Sequence, residues 1–130
     1  MRRSASALVL AVCMGFSLAL AGCGSSADGI APEQALVLIE QDATVNVLDV
    51  RTPEEFATGH LPQARNVPLA DDFDAALEDL DPRAAYVVYC QSGARSAEAA
   101  GKMVDAGFTN VVDAGGIEQL RQAGAEVVTG

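Results

Sequence analysis

The sequence has few cysteines, few basic residues and no tryptophan. Three of its 130 residues are cysteines, which is too few for a disulfide-dense scaffold, and their spacing is not that of a zinc site. Eight lysines and arginines stand against 18 aspartates and glutamates, which gives a net charge of −10. No stretch clusters basic residues, so nucleic-acid binding through phosphate neutralisation is not expected.

Apolar residues, by contrast, are plentiful. They make up 50% of the chain, and charged residues make up 20%, a composition that is typical of a folded protein rather than a disordered one. A chain of 130 residues holds one compact domain of ordinary size and not two.

The N-terminal residues have the pattern of a secretory signal. Arginines at positions 2 and 3 precede an apolar run over residues 7–20, and the motif Leu20-Ala21-Gly22-Cys23 follows. This motif resembles the lipobox of bacterial lipoproteins, in which the cysteine is lipidated and becomes the new N-terminus. The expected parts are a signal peptide over residues 1–22, a tether over 23–29 and one domain over 30–130. We therefore expect a domain held at the extracytoplasmic face of a bacterial cell membrane by lipid on Cys23.

A transmembrane anchor is the alternative reading of the same segment. Residues 4–27 carry no charge and are long enough to span a bilayer, although the glycines and serines at 22–26 disfavour it. Either reading places the domain outside the cytoplasm. Signal cleavage would remove Cys13 and commit Cys23 to lipid, so Cys90 would be the single free thiol, either an inert core residue or a reactive one.

The remaining sequence alternates helical patterns with short β-branched runs. Thr52 and Glu55 form a capping box at the start of one predicted helix, with proline between them at the first helical position. Predicted helices cover residues 32–39, 53–59, 70–80, 95–106 and 117–123, and predicted strands cover 45–49, 66–68, 86–89, 110–112 and 126–128. This alternation predicts an α/β domain with a central, mainly parallel sheet and helices on both faces.

Cys90 ends a predicted strand and begins the loop that leads into a helix. Ligands of parallel α/β sheets bind at this edge, and the unpaired N–H groups of a helix start favour a thiolate. Gly93 allows the backbone to curl into an anion-binding nest, and Arg95 adds a fork of donors suited to a sulfur oxyanion. A buried core cysteine is the alternative, but it would require neither Gly93 nor Arg95.

Several motifs in this order resemble a single-domain rhodanese. The resemblance covers about residues 30–128 and is carried by Leu48-Asp49-Val50-Arg51, Glu54-Glu55-Phe56, Gly59-His60-Leu61-Pro62, Asn66-Val67-Pro68, the loop from Cys90 to Arg95, and Asp113-Ala114-Gly115-Gly116. It implies a rhodanese-like sulfurtransferase in which Cys90 takes a sulfane sulfur from a donor such as thiosulfate, forms a persulfide, and passes the sulfur to a thiophilic acceptor. The donor would be held by Arg95 and by the loop residues Gln91, Ser92, Gly93 and Ala94. No cofactor and no metal are expected.

Loop length and two family positions refine this resemblance. Related phosphatases and arsenate reductases separate their cysteine and arginine by five residues, whereas four lie between Cys90 and Arg95, so we expect no phosphatase activity. The family usually has glycine where this chain has Gln63 and tryptophan where it has Leu120. Both look like packing positions.

Three further polar residues are interpreted mainly as structural. His60, the only histidine, is expected to fasten the turn after a helix rather than to act as a general base. Asp49 and Arg51 could line the pocket, but an ion pair that fixes the loops is favoured. The acidic run over residues 71–81 is expected to form a solvated helix face rather than a calcium site, and a tight strand-to-helix turn is the simplest role for the glycines at 115 and 116.

The expected partners are a small anionic sulfur donor, a thiol acceptor and, through the lipid anchor, a membrane. A second functional hypothesis is a persulfide carrier, sensor or partner-binding module at the cell surface that does not turn over. The acidic surface favours this hypothesis to some extent, because it repels free anionic donors at low ionic strength.

Overall fold

The computed structural model describes residues 27–130, and the expected signal peptide with Cys13, as well as the expected lipidation site Cys23, lies outside them. The strands are β1 (Asp28–Gly29), β2 (Asn46–Asp49), β3 (Ala64–Asn66), β4 (Ala85–Cys90) and β5 (Asn110–Gly116). The helices are α1 (Pro32–Gln41), α2 (Pro53–Thr58), α3 (Phe73–Leu77), α4 (Ala94–Asp105) and α5 (Ile117–Gln122). Among residues 27–130, no helix has both the length and the hydrophobicity needed to cross a bilayer.

The five strands form one parallel sheet in the order β1-β5-β4-β2-β3. Helices α3 and α4 cover one face, and α1 and α5 cover the other, each with its own apolar core. Alternate residues of β4 serve the two cores: Val88 and Cys90 point into the α3/α4 side, whereas Val87 and Tyr89 point into the α1/α5 side. The predicted α/β fold with helices on both faces of a parallel sheet is confirmed.

Most predicted elements are present with small shifts of their ends. The capping box is formed as expected: Thr52 Oγ1 accepts from Glu55 N at 3.2 Å, and the Thr52 N–H donates to the Glu55 carboxylate at 2.9 Å. The strand predicted over 66–68 lies at 64–66, and beyond it the N–H groups of Val67 and Leu69 still donate to the carbonyls of Asp49 and Val50.

Three elements differ from the sequence expectation. The helix predicted over 70–80 is only five residues long, because the chain beyond Leu77 continues in tighter i to i−3 bonds. The strand predicted over 126–128 is a single antiparallel bridge from Val128 to His60. Residues 28–29, at the end of the expected tether, pair with β5, a contact too short to leave a hydrophobic pattern.

Candidate active site

Cys90 is the last residue of β4 and the one free cysteine among residues 27–130. The parallel ladder slips between Val88 and Cys90, so that Cys90 pairs with Gly116 of β5. This places the sulfur at the carboxyl edge of the sheet, directly before the loop that opens α4. The residue is fully buried, with a relative exposure of 0%.

Donors of the following loop and helix converge on the Cys90 sulfur. The Gly93 N–H donates to Sγ at 2.9 Å, and the Ser96 hydroxyl oxygen lies 3.5 Å from it. Gly93 has φ +102°, a left-handed conformation that residues with a Cβ rarely adopt, and this turn directs its N–H towards the sulfur. The nest predicted from the sequence is therefore formed, and we call this loop with the groups around the Cys90 sulfur the cradle.

Opposing influences act on the thiol. Burial is the largest single influence and raises the pKa of Cys90. The hydrogen bond with the Ser96 hydroxyl and those with the N–H groups of Ser96, Gly93 and Ser92 together lower the pKa by more than burial raises it. The net result is a Cys90 pKa below its ordinary value. A sulfur held this way favours the thiolate, which is the nucleophilic form.

Ser96 was missed by the sequence analysis. It is fully buried in the first turn of α4, and its hydroxyl is within 3.0 Å of the Gly93 carbonyl and 3.4 Å of the Gly115 carbonyl. Its position could have identified it, because a serine in the first turn of the helix after a nucleophile has its hydroxyl close to the loop.

The two glycines at the end of β5 form the wall behind the loop. A Cβ on Gly116 would lie 2.5 Å from the Gln91 carbonyl oxygen, and a Cβ on Gly93 would lie 3.6 Å from the Gly115 Cα. Gly115 and Gly116 therefore do more than close a tight turn, because they let the Cys90 loop pack directly against the backbone of β5.

A buried ion pair ties the loop to the rest of the sheet edge. Arg51 and Asp49 are 2% and 0% exposed and are 2.7 Å apart, in the arrangement favoured at the sequence level. Arg51 Nη1 donates to Gln91 Oε1 at 3.0 Å, and Nη2 donates to the Gly59 carbonyl at 2.6 Å. Gln91 is thus held by its side chain, and Arg51 is a positioning residue rather than part of an open pocket.

Arg95 is paired with a carboxylate, a contact that the sequence did not predict. Its two terminal nitrogens bind the two Glu55 carboxylate oxygens at 2.8 and 2.9 Å, so in this structure the fork faces a carboxylate of α2 and not the sulfur. Hydrogen bonds from Arg95, together with the Thr52 N–H, lower the pKa of Glu55 to about 2. Glu55 was identified at the sequence level as a capping residue alone, and its second role was missed.

His60 has the surroundings of a structural residue. Its ring stacks on Phe56 with centroids 3.7 Å apart, its Nδ1 lies 2.9 Å from the Phe56 carbonyl, and its backbone pairs with Val128. These contacts join the end of α2 to the C-terminal segment, as expected for a residue that fastens the turn.

The other positions noted in the sequence lie either on the surface or in the core. Gln63 is exposed in a turn with no positive φ, and Leu120 is fully buried in the α1/α5 core. The acidic residues of the run are all exposed, namely Asp71, Asp72, Asp74, Glu78, Asp79 and Asp81. Of the loop residues, Gln91, Ser92 and Ala94 are exposed at the mouth of the cradle.

Comparison with known proteins agrees with this geometry. The rhodanese-like domain family matches residues 31–123. Thiosulfate sulfurtransferase GlpE of Pseudomonas aeruginosa (strain LESB58) is 42% identical over 95 residues, which cover 71% of this chain and 82% of that protein. A putative sulfurtransferase of Bacillus subtilis (strain 168), YtwF, is 37% identical over 79 residues, or 61% of this chain and 76% of that protein.

Solved structures show the same fold. A rhodanese-related protein of Thermoplasma volcanium matches with a TM-score of 0.68 at 30% identity and covers 79% of this chain and 99% of its own. The Alr3790 protein of Anabaena sp. matches with a TM-score of 0.70 at 20% identity, covering 77% and 91%. The relatives support a sulfurtransferase activity in general. The chain belongs to the family of rhodanese-like domains.

Proposed function

We propose that this protein transfers sulfane sulfur through a persulfide on Cys90. The observation that carries the proposal is the cradle around Cys90 Sγ. There the Gly93 N–H donates to Sγ at 2.9 Å and the Ser96 hydroxyl oxygen lies 3.5 Å from Sγ, contacts that favour the thiolate. The thiolate attacks the outer sulfur of a donor such as thiosulfate, the sulfur–sulfur bond breaks, and sulfite leaves with the bonding electron pair. An acceptor thiolate then attacks the outer sulfur of the Cys90 persulfide and regenerates the Cys90 thiolate.

The same cradle can hold the persulfide. A persulfide anion carries its charge on the added sulfur, one bond further out than Sγ, where the N–H groups of the loop can reach it. A loop of four residues between Cys90 and Arg95 is smaller than that of the related phosphatases, and it suits a single sulfur better than a tetrahedral phosphate.

Intact-mass measurement tests the proposal. The domain is incubated with excess thiosulfate and, separately, with a low-molecular-weight persulfide, and its mass is compared with that of Cys90→Ser. We expect the added mass of one sulfur atom on the wild type and none on the variant. Failure of both donors to add sulfur, or equal addition to Cys90→Ser, would falsify the assignment.

Complete burial of Cys90 supports a second candidate, a carrier or sensor that is loaded once and does not turn over. The groups that bury the Cys90 sulfur must move before a donor can react with it, and this movement slows every cycle. Thiocyanate production in the presence of cyanide separates the two functions. An enzyme continues to form thiocyanate, whereas a carrier stops after one equivalent.

We further propose that the domain is anchored by lipid on Cys23 at the extracytoplasmic face of a bacterial cell membrane. The support is the motif at residues 20–23 after an apolar run. Metabolic labelling with a fatty acid tests it in cells that express the full chain. Label on the wild type that is lost in Cys23→Ser is expected, and label on both or on neither overturns the anchor.

A further inference from the structure

Two arginines lie next to the Cys90 loop, and each is paired with a carboxylate. Arg51 is held by Asp49 in a fully buried pair. Arg95, in the first turn of α4 directly after the loop, is bound at both terminal nitrogens by Glu55. The mouth of the cradle therefore offers a neutral ion pair rather than an open cation.

The groove beside Arg95 is acidic. It has a volume of about 480 Å³ and is lined by Asp71, Asp74, Glu98 and Lys102 as well as by Arg95. Lys102 lies 3.6 Å from Asp74, so its charge is also opposed by a carboxylate. With both cations opposed in this way, the exposed carboxylates of the groove leave it with an excess of negative charge.

This charge arrangement discriminates between two kinds of sulfur donor. With thiosulfate, the departing electron pair leaves on sulfite, a dianion that needs a cation to receive it. With an organic persulfide RSSH, the same attack on the outer sulfur breaks the same type of bond. The electron pair then leaves on RS, which takes up the proton of the persulfide and departs as a neutral thiol. Only the first reaction needs an unpaired cation at the mouth.

We propose that Glu55 sets the donor preference of this site. By holding Arg95, it selects against thiosulfate and in favour of organic persulfides that carry no net negative charge. This inference rests on the proposed Cys90 persulfide chemistry and names the donor class for it. Glu55 is a specificity-determining residue here and takes no part in the sulfur transfer itself.

Glu55→Gln tests the inference, with Glu54→Gln as its matched control. Both substitutions remove one negative charge from the first turn of α2, but Glu54 is exposed and makes no ion pair with residues 27–130. Gln at position 55 keeps an oxygen for the Thr52 N–H, which preserves the helix cap. Circular dichroism confirms that each variant is folded.

The measurement is the rate of sulfur addition to Cys90 from three donors: thiosulfate, cysteamine persulfide, which carries an ammonium group, and mercaptopropionate persulfide, which carries a carboxylate. In Glu55→Gln we expect the thiosulfate rate to rise by about tenfold at low salt, because an unpaired guanidinium then faces a dianion. The gain should shrink as salt is added. The cysteamine persulfide rate should not rise, because its ammonium group is not attracted by a free guanidinium, and Glu54→Gln should change neither rate by more than about twofold.

The wild type gives an independent result should Glu55→Gln fail to fold. Its rate with cysteamine persulfide should exceed that with mercaptopropionate persulfide, since the two donors share their sulfur chemistry and differ in charge. Equal rates for these two donors, no thiosulfate gain in folded Glu55→Gln, or an equal gain in Glu54→Gln each overturn the inference and leave the persulfide function standing. Absence of sulfur on Cys90 with every donor overturns the proposed function instead.

Discussion

Gly116→Ala is the substitution that most directly tests how the Cys90 loop is held. Gly116 has φ −97° and ψ 149°, an extended conformation that alanine adopts freely, so backbone strain is not the issue. The difficulty is space. An added Cβ would lie 2.5 Å from the Gln91 carbonyl oxygen and 3.1 Å from its carbonyl carbon, both of them backbone atoms of the nucleophile loop. The contact with Gln119 Oε1, also 2.5 Å, is relieved by rotating a flexible side chain.

The magnitude follows from what must move. Relief of the clash with Gln91 requires the residue directly after Cys90 to shift outward, and overpacking of this kind costs about 1–3 kcal/mol. For a domain of this size, that corresponds to a fall in melting temperature on the order of 10 °C. A displaced loop also separates the Gly93 N–H from Sγ, and we expect the rate of sulfur addition to Cys90 to fall by about 10- to 100-fold.

Gly101→Ala is the matched control. Gly101 lies inside α4, and a Cβ there would meet nothing within 4 Å, so alanine should stabilise the domain by about 0.5–1 kcal/mol through its higher helix propensity. Thermal denaturation and the initial rate of sulfur addition are measured on both variants. A Gly116→Ala protein that melts and reacts like the wild type would refute the close packing of the loop on β5.

Three further predictions concern individual side chains. Ser96→Ala removes a hydrogen bond to the Cys90 sulfur and so raises its pKa, and alkylation by iodoacetamide at neutral pH should slow by about tenfold; an unchanged pH–rate profile would contradict this role. Arg51→Met leaves a buried carboxylate unpaired and should lower the free energy of unfolding by about 3–5 kcal/mol, measured by urea denaturation. Glu55 has a pKa lowered from 4.5 to about 2, so its contribution to stability is present above pH 4.5 and is lost as the pH falls towards 2. Glu55→Gln should therefore flatten the acid arm of the stability curve in that window, and an unaltered slope would argue against the ion pair in solution.

The fold was predictable because its signals are local and mutually consistent. The capping box at Thr52, the apolar run before Cys90 and the alanine-rich segment after Arg95 each specify one element. Their alternation then leaves a parallel sheet as the natural arrangement. Of the misjudged elements, the two-residue β1 has no local signal and pairs with the edge that β5 offers. Residues 126–128 do carry a strand signal, but only Val128 forms a bridge, to His60.

The candidate site was only partly predictable, for a different reason. Cys90 and the curl at Gly93 could be read from one loop, because both belong to the same strand-to-helix turn. The pairing of Arg95 with Glu55 joins residues 40 positions apart, and nothing in either segment shows that two helix starts meet there. The capping role of Glu55 concealed its second role, since one carboxylate serves both the Thr52 N–H and the guanidinium.

In the donor selection that we propose, that shared carboxylate links helix formation to donor choice. Glu55 is held at its helix start by the Thr52 N–H, and the same rigid position brings its two oxygens to the two terminal nitrogens of Arg95. A site that needed to attract dianions would gain from a free arginine, and a lone capping residue such as glutamine would serve α2 equally well. The carboxylate at this position therefore has a consequence that capping alone does not require, which is a neutral mouth over an ionisable sulfur.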